Sequence, residues 1–201
     1  NVLKWKEEVQ KAAKKYEIEE YVNLILAIIW EESGGLDNIN PDIMQASESQ
    51  GKKPGEITDP LESIDAGTKY LATLLKSSKS LNLGDYAAVQ AYNYGGDFLN
   101  WLKEKELSYS FDVAKNYAAE KSNGKVISYN NPVAGDLGYN WRYGYGNMFY
   151  VNLVSQHIMK DDSELVKIAQ QEIGNSNGAK YWEWFGFPRR VEWCAIFVSW
   201  V

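Results

Sequence analysis

The most informative run in the sequence is YVNLILAIIWEESGG, at residues 21–35. Its apolar residues recur at helical spacing, and the pair Gly34-Gly35 is typical of a helix end. When each residue is turned by about 100° around a helix axis, the mean direction of the apolar side chains points almost at Glu32. Glu31 lies roughly a quarter turn or more away from that direction. We therefore predict a helix over about residues 19–33 with a carboxyl group on its apolar face.

Glu32 has the predicted environment that a general acid requires. Burial among apolar side chains and the C-terminal end of a helix dipole both disfavour negative charge, so we expect the pKa of Glu32 to be raised. A carboxyl group that stays protonated near neutral pH is able to protonate a leaving oxygen. The alternative is that Glu32 only marks the helix end and turns to solvent or to an arginine. The helical pattern by itself leaves both interpretations open.

The rest of the first 160 residues is also predicted to be mainly helical. Helices are expected over residues 2–16, from Asp59-Pro60 onwards, from Gly84-Asp85 to Gly95-Gly96, and over 98–102, 111–119 and 149–159. Residues 34–53 are rich in Gly, Asn, Asp and Ser and indicate a long irregular segment, which in a compact domain is often functional. Residues 124–146 contain too much Gly, Asn and Tyr for an assignment, and no strand pattern is convincing before residue 160.

Composition excludes several classes of protein. The 201 residues are 45% hydrophobic and 24% charged, which is typical of a soluble globular chain too short for two complete large domains. A net charge of −6 without a dense basic run argues against nucleic acid as a partner. The longest apolar stretch, residues 21–30, is interrupted by Asn23 and is shorter than the roughly 20 residues of a membrane span. We therefore expect no membrane segment in this chain.

The chain contains one cysteine, Cys194, and one histidine, His157. A single cysteine excludes an internal disulfide, and a single histidine excludes a metal site or a catalytic triad that needs several imidazoles. No motif indicates a nucleotide, flavin or metal cofactor, so we expect none. The sequence starts at Asn1 rather than Met, from which we expect that a signal or anchor segment has been removed.

Motifs in the first 158 residues resemble those of a known enzyme group. In order they are Glu32-Ser33-Gly34-Gly35, Ile43-Met44-Gln45, Ile64 with Gly67 and Tyr70-Leu71, and Ala91-Tyr92-Asn93-Tyr94-Gly95-Gly96. This series resembles soluble lytic transglycosylases and goose-type lysozymes over about residues 15–158. Within that group, residues 42–49 are most similar to the lysozyme-like domain of CwlT-type two-domain cell-wall hydrolases. The resemblance implies a mainly α, lysozyme-like domain over residues 1–159.

The resemblance also implies an activity and a set of site residues. It implies a muramidase that cleaves the glycan strand of peptidoglycan, with Glu32 as the catalytic acid and a cleft lined by Gln45 and the pair Tyr92-Asn93. The other implied substrate-binding residues are Ser33, Met44, Tyr94 and Tyr139. For Tyr92, a role as a core aromatic residue is the alternative. Such a protein is expected to be monomeric and to act outside the cytoplasm, either secreted or associated with the cell wall.

The second catalytic carboxylate is left open by the sequence. An inverting hydrolase places it about 6.5 to 9.5 Å from the acid, and a retaining hydrolase about 5 to 5.5 Å. The candidates are Asp37, Asp42, Glu48 and Asp59, which are equally suited to capping turns and helices. Lytic transglycosylases of this group use a single glutamate and form an anhydro sugar. Hydrolysis and transglycosylation therefore both stay open, and a non-catalytic wall-binding module is the third alternative.

A second unit is predicted to follow a polar linker at residues 160–164, with Ser163 as the first helix cap. Over residues 165–201, the motifs at 181–186 and 192–195 resemble the front of NlpC-type papain-like cysteine peptidases, which have an α+β fold. The resemblance implies that Cys194 is the nucleophile of an endopeptidase or amidase acting on peptidoglycan stem peptides. The alternative is that Cys194 is a small buried apolar residue. Because the family's histidine lies after the cysteine and nothing follows Val201, we expect an incomplete peptidase site, and His157 receives no role.

Overall fold

The computed structural model describes residues 1–158, 172, 178–184 and 186. The chain divides into two units, Asn1–Ile158 and Met159–Val201. In the second unit the structure describes a helix at Ala179–Trp184, whose Tyr181 is buried. The predicted linker at 160–164, the cap Ser163 and the nucleophile Cys194 lie outside the described residues. The predicted domain boundaries and the peptidase fold therefore stay predictions.

The first unit is mainly helical, as predicted. Its α-helices are α1 (Lys6–Lys15), α2 (Val22–Ser33), α3 (Pro60–Ser80), α4 (Asp85–Tyr94), α5 (Asp97–Glu104), α6 (Phe111–Lys121), α7 (Pro132–Asp136) and α8 (Tyr150–His157). Short 3₁₀ helices occupy Val2–Trp5, Glu19–Tyr21 and Ser47–Gln50. Among the described residues, no helix is both long enough and apolar enough to cross a bilayer.

The expectation of no strand before residue 160 is wrong. Strands β1 (Val126–Ser128) and β2 (Trp141–Tyr143) form an antiparallel pair in which Ile127 lies opposite Arg142. Each strand has three residues, which is too few for the alternation of apolar and polar side chains to be recognised in a sequence. The pair lies in the segment of 124–146 that the sequence left unassigned.

Helix α2 forms the centre of the first unit. Its residues from Leu24 to Ile29 are all buried, and it packs against α8 and α1. The helix ends at Gly34, which adopts a left-handed conformation with φ of 62° and donates its N–H to the carbonyl of Trp30 at 2.9 Å. A residue without a side chain adopts this conformation at little cost, so the chain turns away directly after Glu32 and Ser33.

A tight turn at residues 42–47 lies against helix α3. The buried carboxylate of Asp42 accepts hydrogen bonds from the backbone of Ala46 and from the hydroxyls of Ser47 and Ser63 at 2.6 to 2.9 Å. At Gly67 on α3, a Cβ atom would lie 2.7 Å from the sulfur of Met44, so only glycine permits this close approach.

The loop between β2 and α8 is attached to α4 by hydrogen bonds. The side chain of Asn93 accepts the N–H of Asn147 at 2.7 Å, and the hydroxyl of Tyr145 donates to the carbonyl of Tyr94 at 2.8 Å. Asn147 also accepts the N–H of Phe149 at 3.0 Å, just before α8 begins at Tyr150. These bonds fix the start of α8 next to the end of α2.

Candidate active site

Glu32 lies at the C-terminal end of α2 and is largely shielded from solvent. The hydroxyl of Tyr150 donates a hydrogen bond to its Oε1 atom at 2.6 Å. The pKa of Glu32 is raised to about 7: burial is the main cause, the charges of Glu31 and Asp42 act in the same direction, and the Tyr150 hydrogen bond opposes them. Near neutral pH the carboxyl group is thus populated in both its protonated and its ionised form.

Tyr150 connects Glu32 to the turn at residues 42–47. Its ring is buried and stacks on the ring of Tyr92, with centroids 6.5 Å apart and planes 7° from parallel. The hydroxyl of Tyr92 in turn donates to the carbonyl of Met44 at 2.9 Å. The position of the Glu32 carboxyl group is therefore coupled to α4, to α8 and to this turn. The sequence analysis did not identify Tyr150, because nothing in the local pattern links it to a residue in α2.

Two neighbouring cavities form a cleft beside Glu32. The first, of about 410 Å³, is lined by Glu31, Glu32, Asn93, Ile127, Arg142, Gly144, Gly146, Asn147 and Tyr150. The second, of about 450 Å³, is lined by Gln45, Ala46, Glu48, Ser49, Tyr70, Tyr92, Asn93, Tyr94, Gly95, Tyr145 and Gly146. Because Asn93 and Gly146 line both cavities, we treat them as one cleft, and these two sets of residues define it below.

The structure brings four of the predicted substrate-binding residues to this cleft, namely Gln45, Tyr92, Asn93 and Tyr94. Gln45 is exposed and has a positive φ of 48°, and its side-chain amide donates to the carbonyl of Asp42 at 2.8 Å. The sequence left Tyr92 as either a cleft residue or a core aromatic residue, and in the structure it is both: it lines the cleft and is buried in the core.

Three other predicted residues are not among those that line the cleft. The hydroxyl of Ser33 donates to the carbonyl of Ile43 at 2.8 Å and so holds the irregular segment onto α2. Met44 is completely buried against α3. Tyr139 packs edge-on against Phe111 and Trp141 in a separate aromatic cluster. Ser33 and Met44 therefore hold the backbone next to Gln45 in place without lining the cleft themselves.

The four candidates for a second carboxylate occupy different environments. Asp37 forms an ion pair with Lys4, Asp59 caps α3 through the N–H of Leu61 at 3.0 Å, and Asp42 is held by several donors inside the turn. Glu48 is exposed and is the one of the four that lines the cleft.

Glu31 is a carboxylate of the cleft that the helical projection had set aside. It lines the same cavity as Glu32, and burial raises its pKa to about 6. The Nε2 atom of His157 lies 3.9 Å from the Glu31 carboxylate. Near the last turn of a helix, side chains on adjacent residues can both reach an open cleft, which a projection along the axis does not reveal.

Arg142 is a further cleft residue that the sequence analysis did not identify. Its Nη1 atom donates to the carbonyl of Tyr143 at 3.2 Å and to that of Gly146, and its guanidinium lies 5.4 Å from the ring centroid of Tyr129. Within the described part of the chain, no group of three or more His, Cys, Asp or Glu side chains is arranged to hold a metal ion.

Comparison with known proteins gives a consistent result. A family described as lysozyme-like matches residues 1–158. The bifunctional muramidase/DL-endopeptidase CwlT of Bacillus subtilis (strain 168) is 31% identical over 157 residues, which are 78% of this chain and 41% of that protein. The uncharacterized membrane protein YocA of the same strain is 29% identical over 170 residues, which are 84% of this chain and 72% of that protein.

A solved structure is also similar. It is described as similar to lipoprotein, NLP/P60 family, from Staphylococcus aureus subsp. aureus Mu50, and it superposes with a TM-score of 0.75 at 39% sequence identity. The match covers 90% of this chain and 60% of that one. The chain therefore spans less than two thirds of the length of both the CwlT relative and the solved structure.

Proposed function

The chain belongs to the lysozyme-like family, and from this membership we propose that it is a muramidase that cleaves the glycan strand of peptidoglycan with Glu32 as general acid. The similarity to a CwlT-type muramidase/endopeptidase supports this substrate class. The observation that carries the proposal is a shielded carboxyl group with a pKa of about 7 on the wall of a cleft. Because peptidoglycan lies outside the cytoplasmic membrane, the proposed activity is extracytoplasmic.

The chemistry follows from the position of the Glu32 proton. This proton passes to the glycosidic oxygen as the bond from that oxygen to the sugar C1 breaks, so the leaving sugar departs as a neutral hydroxyl. Positive charge then develops on the remaining ring. The carboxylate left on Glu32 stabilises that charge. In hydrolysis a water molecule attacks C1 and gives its proton to a second cleft carboxylate, whereas in anhydro-sugar formation a hydroxyl of the same sugar attacks C1 and gives its proton to Glu32.

The rest of the cleft has the groups that a sugar chain requires. Aromatic faces pack against sugar rings, and amide side chains hydrogen-bond their hydroxyl and acetamido groups. In the proposed complex, Tyr92 and Tyr94 supply aromatic surface, while Gln45 and Asn93 supply amide groups. The Tyr150 hydrogen bond holds the Glu32 carboxyl group in one orientation, which keeps the acid aligned with the scissile bond.

A specific observation also favours lytic transglycosylation as a second candidate. Three of the four predicted second carboxylates, Asp37, Asp42 and Asp59, are engaged in an ion pair, a buried turn and a helix cap. A mechanism with one acid needs none of them, because a hydroxyl of the same sugar attacks C1 instead of water. Glu31 and Glu48 are the two cleft carboxylates that a hydrolytic mechanism has available for activating water.

Replacement of Glu32 by glutamine tests the proposal. Glu32→Gln keeps the size of the side chain and its ability to accept the Tyr150 hydrogen bond, but it removes the transferable proton. We expect lysis of purified cell walls to fall by about 10²-fold or more, while binding to the walls persists. Glu7→Gln is the matched control, since Glu7 is exposed on α1 outside the cleft. Unchanged lysis by a folded Glu32→Gln variant would contradict the role of Glu32 as the acid, whereas wall binding without lysis by the wild-type protein would favour a binding module.

The released fragments distinguish the two reactions. Mass spectrometry of muropeptides from wild-type digests gives reducing ends for hydrolysis and products lighter by one water for anhydro-sugar formation. If reducing ends dominate, Glu31→Gln and Glu48→Gln variants identify the carboxylate that activates water. The residue whose replacement abolishes hydrolysis but not wall binding is that base.

For the second unit we propose a role in cleavage of stem peptides, with Cys194 as nucleophile. The support is the sequence motif around Cys194 and the similarity to a protein named as a DL-endopeptidase. A Cys194→Ala variant, compared with the unchanged protein on isolated stem peptides after the family's histidine-bearing segment has been supplied to both, tests this role separately from that of Glu32. A monomeric state also stays a prediction, for which sedimentation equilibrium is the measurement.

A further inference from the structure

Arg142 lies in the Glu32 cavity with one edge of its guanidinium unused. Its Nη1 atom donates to the carbonyls of Tyr143 and Gly146, whereas its Nε atom is buried with no hydrogen-bond partner. Nη2 likewise has no acceptor among the described residues. A buried N–H of a charged group is rarely left unpaired, because the loss of its hydration is costly. Nε and Nη2 form one edge of the planar guanidinium, and this edge has the spacing of a carboxylate.

The charge around Arg142 supports the same conclusion. Among the described residues that line the cleft, Arg142 is the only Lys or Arg, while Glu31, Glu32 and Glu48 are all carboxylic acids. No ion pair of the described residues includes Arg142, so its charge has no partner in that part of the chain. Its guanidinium is instead placed over the ring of Tyr129 and fixed by two backbone carbonyls. The side chain is thus held in place, while its charge has no counter-ion among the described residues.

We propose that Arg142 binds a carboxylate carried by the glycan strand, next to the bond that Glu32 cleaves. This inference rests on the proposed function and names the part of the substrate that the site recognises. Of the two alternating sugars of peptidoglycan, N-acetylglucosamine is neutral, whereas N-acetylmuramic acid has a lactyl ether that ends in a carboxyl group. That group is a free carboxylate in a strand without peptides and an amide in a strand with peptides, where the stem supplies other carboxylates. Pairing with Arg142 would place the muramic acid residue in register with Glu32.

Two kinds of glycan strand distinguish the possible sources of the carboxylate. One is a strand stripped of peptides, which has free lactyl carboxylates, and the other is a strand with intact stems. Each is prepared in its native form and with its carboxylates converted to neutral amides. Binding is measured with the full chain on a Glu32→Gln background, so that the strand is not consumed. We expect the native form of one strand to bind about tenfold more tightly than its amidated form, and that strand identifies the source.

The Arg142→Gln substitution, added to this background, should remove the preference, so that native and amidated strands bind with the same affinity. Arg142→Lys keeps the positive charge without the two-pronged edge, and we expect part of the preference to remain. Lys79→Gln is the control for loss of one positive charge, because Lys79 is exposed near the end of α3 outside the cleft. Thermal unfolding of each variant establishes that it is folded.

Several outcomes would overturn the proposal. They are equal affinity of the Glu32→Gln protein for native and amidated strands, an equal loss for both strands in Arg142→Gln, or the same change in Lys79→Gln. If Arg142→Gln does not fold, the comparison of native with amidated strands and the Arg142→Lys variant still decide. Failure of the proposed function can be distinguished from failure of the Arg142 proposal. The first appears as wall lysis that does not depend on Glu32, and the second appears in the binding of native and amidated strands.

Discussion

The hydroxyl of Tyr150 donates a hydrogen bond of 2.6 Å to the Oε1 atom of Glu32, across 118 positions of the sequence. Burial of Glu32 favours the neutral acid, whereas this hydrogen bond favours the ionised form. The balance leaves the pKa of Glu32 at about 7. A group with this pKa can donate a proton and take one back within a single reaction cycle near neutral pH.

Tyr150→Phe should shift the pH dependence of the proposed wall lysis. The variant keeps the ring that stacks on Tyr92 but removes the hydrogen bond that lowers the pKa of Glu32. Because the pKa of Glu32 then rises, we expect the alkaline limb of the kcat profile to move to higher pH. Rates of wall-fragment release between pH 5 and pH 9 are the measurement. Tyr86→Phe, at an exposed ring outside the cleft, is the control, and an alkaline limb that stays in place or moves to lower pH would contradict this account.

Glu32 should also make the protein less stable as the pH rises. Its pKa is about 7 in the folded state against an ordinary value of 4.5, so between these values the folded state holds a proton that the unfolded chain has released. The stabilisation is therefore complete below pH 4.5 and is lost as the pH rises through 7. Glu32→Gln does not titrate, so relative to wild type it should gain about 3 kcal/mol of unfolding free energy between pH 4 and pH 8.

Urea denaturation of both proteins across this pH range gives the difference directly. The Glu31 carboxyl group also has a raised pKa, but it is present in both proteins, so its contribution largely cancels in the comparison. A difference between the two proteins that does not change with pH would show that position 32 titrates normally.

The elements that the sequence predicted are those defined by local chemistry. Helix α2 and its end at Gly34 follow from apolar spacing and a left-handed glycine, and the start of α3 follows from the cap Asp59 with Pro60 behind it. Gln45 and the residues from Tyr92 to Tyr94 were found through family motifs and do line the cleft. Each of these features is encoded within a few neighbouring residues.

The features that sequence reasoning missed depend on contacts between distant segments. Tyr150 and Arg142 reach the cleft because the loop before α8 is hydrogen-bonded to α4. No local sequence pattern predicts those hydrogen bonds. Glu31 was set aside because a projection of α2 does not show where the cleft opens. Strands β1 and β2 were missed because pairing with each other, more than their own three-residue sequences, defines them.

Asp42→Asn should affect folding more than catalysis. The Asp42 carboxylate accepts hydrogen bonds from Ala46, Ser47 and Ser63, and an amide group in its place would direct N–H groups at some of these donors. Because the site is buried, we expect a loss of about 3 kcal/mol in unfolding free energy, measured by urea denaturation. Asp59→Asn is the control, since asparagine caps a helix almost as well as aspartate. If Asp42 were the second catalytic carboxylate, the variant would instead lose lysis with little loss of stability.

Gly146→Ala should disturb the cleft itself. Gly146 has a positive φ of 47°, and a Cβ atom there would lie 2.5 Å from the ring of Tyr94 and 2.8 Å from the Oδ1 atom of Asn93. Both contacts are shorter than side chains tolerate, so the loop or α4 must shift, and the bond from Asn147 to Asn93 shifts with them. We expect kcat/KM for wall fragments to fall by about tenfold, since small displacements of positioning groups are costly to catalysis.

Comparison with Gly138→Ala separates the steric contacts of a Cβ atom at position 146 from backbone strain. Gly138 also has a positive φ, of 83°, but a Cβ atom there would meet nothing within 4 Å. Both variants should lose about 1 kcal/mol of stability because alanine disfavours the left-handed conformation. Only Gly146→Ala should lose a further 1 to 3 kcal/mol, roughly the cost of an overpacked contact, together with its activity. Equal stability and equal activity in the two variants would mean that the loop before α8 yields freely, and that its bonds to α4 do not hold the cleft in shape.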